Sequence, residues 1–385
     1  MNRSTDFIPF ALPSLDRREE EAVLRVLRSG WLTTGQETLA FEEEFARAAG
    51  VPFAAGVNSA TAGLHLVLEA LAIPPDSLVI TTPYTFVATA EVIRYRRAHP
   101  LFVDINDDFN MDTEKVLRIL KDPALARRVS AILPVHLGGR ACDPEALSRA
   151  GEAAGIPLVE DAAHGFPAAQ GGRLLGTFGA AGVYSFYATK TMTTGEGGMV
   201  VSRDEELMKK IRLLRLHGID RDVWTRSRGG VSWEYDVAEV GFKYNLTDIA
   251  AALGRVQLNK AQDFLAERRR IARFYRDNLG DVEGLILPRD CPEHSWHLFI
   301  IRLNRPGLDR DGFIEKMAEA GIGCSVHYKP LHLFSYYRRT YGLKPQDLPR
   351  AAEFFHQAVS LPIYPGLGEE ALHRITAEVR RLVQG

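Results

Sequence analysis

Between residues 52 and 202 the chain repeats one pattern, a short apolar run followed by a stretch with helical spacing. The runs are PFAAGV, SLVITT, PLFVDI, AILPVH, IPLVED, AGVYSF and GMVVS, most of them too short and too β-branched for helices. This alternation predicts α/β layers. In an open α/β sheet, ligands gather outside the C-terminal strand ends. Asn58, Tyr84, His136, Asp161 and Ser185 stand at those ends and are expected to converge.

The intervening stretches carry helix signals. Leu64, Val67, Leu68 and Leu71 follow the spacing of one buried helix face, with Ser59 and Thr61 at its start. A long helical pattern from about Thr247 through Asn278 leads the chain out of the first sheet. Beyond it, HLFIIRL reads as a strand, DRDGFIEKMAEAG as a helix closed by Gly321, and the last twenty residues as an amphipathic helix. Residues 1–250 are therefore expected to form a large domain with an N-terminal segment, and residues 251–385 a smaller C-terminal α/β domain.

Charge and composition narrow the partners. Forty-seven Lys plus Arg against 49 Asp plus Glu leave a net charge of −2, so no global field draws the chain to nucleic acid or to an anionic membrane. No stretch approaches the roughly eighteen apolar residues of a membrane span. A cytoplasmic enzyme with a small-molecule partner is expected. Cys142, Cys291 and Cys324 are odd in number and lack the close pairs of zinc or redox sites, so they read as reduced thiols.

Chemistry concentrates around Lys190, in SFYATKTMTTGEGG. The glycine-rich turn after it leaves little room for a freely waving side chain. A confined, desolvated amine has a lowered pKa and becomes a nucleophile suited to Schiff-base formation. Asp161 ends the run IPLVED, where a carboxylate either caps the next helix or pairs with a protonated pyridine nitrogen. His164, three residues on, supports Asp161, lies against a cofactor or is simply a structural residue. GVNSATAG places Ala60 and Thr61 at a strand-to-helix junction, where free N–H groups and the helix dipole favour a phosphate. Phe86 offers a flat apolar partner or belongs to the core. Lysine, aspartate and a phosphate cup together suit pyridoxal 5′-phosphate.

Two further clusters compete. His327, Tyr328 and His332 in SVHYKPLHLF fit no familiar metal-ligand spacing, so no metal is expected and polar substrate contact is the better reading. Arg268, Arg269 and Arg270 read as a solvated helix face.

The ordered motifs SGWLTTG, NSATAGLHL, PYTFVATA, VEDAAH, SFYATK, GEGG, His217–Gly218, GFKYNLTD and VHYKPLH resemble the DegT/DnrJ/EryC1/StrS group of sugar-nucleotide aminotransferases over nearly the whole chain. The resemblance implies a fold type I, pyridoxal phosphate-dependent enzyme, with a mostly parallel sheet in the large domain. It makes Lys190 the Schiff-base lysine, Asp161 the pyridinium partner and Phe86 the ring-stacking residue. Ala60, Thr61 and Ser185 fall at the phosphate, and Asn245 reaches in from the other subunit of a homodimer. Amino transfer from glutamate to a nucleotide-linked keto-deoxysugar is the implied reaction. GFKYNLTD and VHYKPLHLFSYY look like the branch aminating C4 of UDP-sugars, with Lys243, Tyr235, His327 and Tyr328 as substrate contacts. Thr191–Met192 departs from the Asn-aliphatic pair of many relatives but leaves the lysine in place. Sugar dehydratases of the superfamily can replace that lysine with histidine, so its retention disfavours a dehydratase. The complete site argues against a non-catalytic, regulatory relative.

Overall fold

The computed structural model describes residues 7–219 and 235–385. Each predicted run of the first part contains a strand, most of them shorter than the run, while those of PLFVDI and AILPVH begin one and two residues before theirs. The strands are β1 (Phe53–Val57), β2 (Leu78–Thr81), β3 (His99–Phe102), β4 (Val129–Leu133), β5 (Val159–Asp161), then, after the small hairpin β6 (Ala169–Gln170) and β7 (Arg173–Leu174), β8 (Ala181–Ser185) and β9 (Gly198–Ser202). Proline explains one trimming. Pro134 has no N–H to continue the ladder, and β4 ends at Leu133.

Two hydrogen-bonded groups, β3-β2-β4 and β5-β8-β9-β1, meet through parallel bridges between Ile132 and Leu158 and between Val135 and Asp161. The strands β3, β2, β4, β5 and β8 run parallel, while β9 is antiparallel to both β8 and β1. The register sets Val57 and Ser185 opposite Gly198, so the ends of β1 and β8 share one edge. Gly198 is required there, because an added Cβ would lie 2.8 Å from both the Ala60 nitrogen and the Tyr184 oxygen.

The helix Ala60–Ala70 follows β1 and is capped by Ser59, whose hydroxyl accepts from the Ala62 N–H. The sequence spacing predicts one buried face, but residues 62–68 are all buried. This helix packs against the sheet, the helix Ala88–Tyr95 and the helix Glu205–Leu214 at once. Full burial of each leucine or valine there is worth about 1.5–3 kcal/mol.

The helix Asp248–Leu279 spans the predicted long pattern. Its second half covers a three-stranded antiparallel sheet of β10 (Leu285–Ile286), β11 (Phe299–Leu303) and β12 (Ala358–Leu361). The helices Arg310–Glu319 and Glu369–Gln384 pack on the same core, and Gly321 follows the first at φ 75°. Ile8 bridges to Ile322 and joins this core from the N-terminal segment.

Arg268 corrects the reading of the arginine run as a solvated face. It is 2% exposed, and its Nη1 donates to the carbonyl oxygens of Trp296, His297 and Ile363. Burial lowers its pKa to about 10. Arg269 and Arg270 are exposed. The three cysteines are free. Among the described residues no helix is long and apolar enough to cross a membrane.

Candidate active site

A cavity of about 480 Å³ opens at the shared edge of the sheet. Ala60, Thr61, Phe86, Asp161, His164, Ser185, Lys190, His327 and Tyr328 all line it. Lys243, Tyr235 and Asn245 lie outside the lining. Three of the strand-end residues expected to converge do not, and the first of them, Asn58, donates its Nδ2–H to the Lys243 carbonyl at 3.3 Å. Tyr84 is buried in an apolar cluster with Phe109 and Leu298, and His136 turns away to hydrogen-bond Glu160. Alternate residues of a strand point to opposite faces, so a polar residue at a strand end reaches the cavity in only one register.

Lys190 sits in a loop with little freedom. Its amide donates to the Tyr187 carbonyl at 2.9 Å, while Thr194 N and Thr193 Oγ1 both return to the Phe186 carbonyl at 3.0 Å. Thr193 N donates to Gln257 Oε1 of the long helix, and Gly195 turns the chain at φ 79°. The side chain is half-buried and lines the cavity. Burial lowers the ammonium pKa to about 8, against the pull of the Asp161 carboxylate.

Asp161 is 5% exposed. Its Oδ1 accepts from Ala163 N at 3.1 Å and its Oδ2 from Thr89 Oγ1 at 2.8 Å. The local capping contact therefore exists, yet it uses only part of the carboxylate, which also lines the cavity. Burial raises its pKa, an effect that Thr89, Ala163 and the nearby Lys190 charge oppose. Thr89 in turn lies 2.9 Å from Thr85 Oγ1. Because Thr89 donates to Asp161, its lone pair receives the Thr85 proton. Sequence reasoning passed over Thr85, Thr89 and His297, all of which line the cavity. Their only signal was the four-residue spacing of the two threonines beside Phe86.

His164 does not touch Asp161 by a hydrogen bond. Its Nδ1 accepts from Gly138 N at 3.2 Å and its Nε2 lies 3.2 Å from Tyr328 Oη. Burial, and then the Lys190 charge, push its pKa well down. The His297 ring packs beside it at 4.4 Å between centroids. His327 Nδ1 is 2.9 Å from Ser360 Oγ, and Phe10 stacks on its ring. Phe86 is 58% exposed, so it belongs to the cavity wall and not to the core. His332 is buried outside the lining.

Where the helix Ala60–Ala70 meets the cavity, its first intrahelical bond runs from Gly63 N to Ser59 O, and the Ala62 N–H goes to Ser59 Oγ. The amides of Ala60 and Thr61 precede that bond, beside Ser185 at the lining. This is an anion cradle with the positive end of a helix behind it.

The sequence model of the DegT/DnrJ/EryC1/StrS aminotransferase family matches residues 13–380. The chain belongs to this family. It is 38% identical over 391 residues to the spore coat polysaccharide biosynthesis protein SpsC of Bacillus subtilis, covering 100% of this chain and 99% of that one. Among solved structures, the putative sugar aminotransferase Spr1654 of Streptococcus pneumoniae in its PMP-form matches with a TM-score of 0.90 at 32% identity, covering 98% and 99% of the two chains. PseC of Helicobacter pylori, an aminotransferase involved in the biosynthesis of pseudoaminic acid, matches with a TM-score of 0.91 at 30% identity and the same coverage. The protein is thus a sugar aminotransferase that uses pyridoxal 5′-phosphate. The cavity fits that group in its donor set. It offers one amine of lowered pKa, one under-satisfied buried carboxylate, and a cradle of free amides into which Gly198 admits no side chain.

Proposed function

We propose that this enzyme moves an amino group from L-glutamate to the keto carbon of a nucleotide-linked deoxysugar, a UDP-4-keto sugar, in amino-sugar or surface polysaccharide biosynthesis. One observation carries the reading. Lys190 and Asp161 line a single cavity together with the first residues of a helix, so amine, carboxylate and phosphate cradle would be assembled on one chain.

Lys190 would hold the cofactor through its Nζ, and Asp161 would keep the proton on the pyridine nitrogen. Ala60 and Thr61 amides with the Ser185 hydroxyl would hold the phosphate, and Phe86 would cover the ring, with His164 at its side. When bound, the cofactor supplies an electrophilic carbon and an electron sink for the charge that develops on the substrate. With its pKa lowered by burial, Lys190 Nζ would serve as the base at the donor's α-carbon, and in the second half-reaction it would return a proton. Asp161 would not exchange roles with it, because its hydrogen bonds to Thr89 and Ala163 hold the carboxylate in place.

His327 and Tyr328, which line the cavity, would contact the sugar from the C-terminal part of the chain. Lys243 and Tyr235, outside this lining, would contact the substrate from the loop region that precedes the long helix. Asn245 pairs with Thr34 Oγ1 at 2.7 Å and not with its own cavity. Its proposed target is the phosphate site of the second subunit in a cytoplasmic homodimer.

The test is a screen of the purified enzyme with glutamate against 3-keto and 4-keto UDP- and dTDP-sugars, with products read by mass and NMR. Amination of a UDP-4-keto sugar with stoichiometric 2-oxoglutarate is expected. A deoxygenated product without 2-oxoglutarate would establish the dehydratase reading instead, which retention of Lys190 disfavours.

A further inference from the structure

A ring nitrogen that receives an N–H cannot itself carry a proton. Gly138 N donates to His164 Nδ1 at 3.2 Å, so the proton of this imidazole must sit on Nε2. Nε2 faces Tyr328 Oη at 3.2 Å. The histidine therefore donates, and the phenolic oxygen accepts. Tyr328 has one proton of its own and no other hydrogen-bond partner among the described residues, while its side chain lines the cavity beside Lys190. The hydroxyl can only point its proton into the cavity.

The surroundings hold this polarity in place. Gly138 is fixed by its carbonyl, which accepts from His297 N at 3.0 Å and Leu298 N at 3.3 Å. The His164 carbonyl accepts from Ser295 Oγ at 3.0 Å. Arg268 pins the carbonyls of Trp296 and His297 from below, and the His297 ring packs against His164. Burial, with Asp161 nearby, keeps the Tyr328 phenol protonated far above neutral pH.

We propose that Tyr328, aligned by the Nε2–H tautomer of His164, is a one-way hydrogen-bond donor to an oxygen that carries negative charge beside Lys190. Two oxygens have that chemistry. One is the sugar's carbonyl oxygen, which gathers charge as nitrogen adds to its carbon. The other is the phenolic ring oxygen of the cofactor. The inference rests on reading the cavity as an aminotransferase site, and it adds a directional contact to that reading.

The experiment uses the loaded enzyme and Tyr328→Phe, which keeps the ring and removes the donor. The pH titration of the cofactor's visible absorbance is followed without substrate, and the two half-reactions are followed separately. If the acceptor is the sugar oxygen, the titration stays in place and the half-reaction with keto sugar slows by about 100-fold, the usual effect of removing one donor to developing oxyanion charge. If it is the cofactor oxygen, the titration midpoint rises in Tyr328→Phe and both half-reactions slow. Either result supports the proposal. It is overturned if neither the titration nor either half-reaction moves by more than about twofold, below the net worth of one hydrogen bond.

Two His164 variants test direction itself. In His164→Gln the amide oxygen can accept from Gly138 N while the amide nitrogen still donates to Tyr328. In His164→Glu a carboxylate accepts from both sides and captures the tyrosine proton. His164→Glu should match the loss in Tyr328→Phe, with little further loss in the double variant, while His164→Gln should lose less than about tenfold. Equal behaviour of the Gln and Glu variants at equal thermal stability would overturn the directional role. If wild-type enzyme exchanges no amino group with any donor, the aminotransferase reading fails separately.

Discussion

Glu160 and Asp161 are neighbours on one three-residue strand, both carboxylates and both buried, yet the fold treats them in opposite ways. Glu160 points into the protein. Its oxygens accept from Gly176 N at 2.9 Å, Phe178 N at 2.6 Å, Gly179 N at 2.8 Å and His136 Nε2 at 2.9 Å. The Cys142 N–H donates to His136 Nδ1, which leaves the ring proton on Nε2 for Glu160. Every lone pair that such a carboxylate can use is taken. Asp161 points the other way and has two donors, with the rest of its acceptor capacity facing the cavity. A saturated buried carboxylate holds structure together. An under-saturated one waits for a ligand, and burial makes it demanding of a positive partner.

The largest effect expected from the cavity side is that of Lys190→Ala, which should reduce turnover by at least about 10⁴-fold, the upper range of positioned acid–base catalysis. Cofactor should no longer be retained covalently, which borohydride treatment followed by intact-protein mass will show. Turnover within tenfold of wild type would remove the central assignment.

Asp161→Asn and Glu160→Gln then set the two faces of the strand against each other. Asp161→Asn preserves shape but removes the anion, and single-turnover amino transfer should slow on the order of 10²–10³-fold, as when one preorganised electrostatic partner is lost. Its unfolding midpoint should change little, because the removed charge was the costly one to bury. Glu160→Gln should do the reverse. It leaves a backbone N–H facing an amide NH₂ in a closed site, and a buried donor left without its acceptor costs about 1–3 kcal/mol. Denaturant unfolding measures that loss, while the rate per loaded site stays within a few-fold. If both variants lose rate and neither loses stability, the contrast between the two carboxylates is wrong.

The same strand shows what the sequence could and could not disclose. IPLVED ends in two carboxylates, and nothing in its composition says which one faces the cavity. That depends on strand register, fixed here by bridges to β4 and β8 that are remote in sequence. Asn58, Tyr84 and His136, also at strand ends, stay out of the cavity lining for want of the same information. Arg268 was legible in principle. It continues the inward stripe of Phe264, Leu265, Ile271, Ala272 and Tyr275, at intervals of three and four, but a run of three arginines masks that period. Asp161 at a strand end, Ala60 and Thr61 at a helix start and Lys190 in the tight loop after β8 could be singled out and do line one cavity, because each position carries a chemical type that it rarely holds idle. Thr85, Thr89 and His297 were not, since ordinary polar residues become informative only once their partners are known.

The smallest expected effect concerns pH and tests the pull between Lys190 and Asp161. Burial favours the neutral amine, whose pKa falls to about 8, and the Asp161 anion works against that fall. At pH 7 a group with a pKa of about 8 is roughly one-tenth neutral, whereas an ordinary lysine near 10.4 is neutral in well under one part in a thousand. The rate at which cofactor-free enzyme captures pyridoxal phosphate should therefore rise with pH and level off above about 8. Asp161→Asn removes the charge that favours the ammonium, so its inflection should move to lower pH, even though its later chemistry is slower. Stopped-flow absorbance across pH 6–10.5 reads both inflections. A wild-type inflection near 10 would mean that Lys190 is effectively solvated. An Asp161→Asn inflection above that of wild type would mean that the carboxylate does not face the amine.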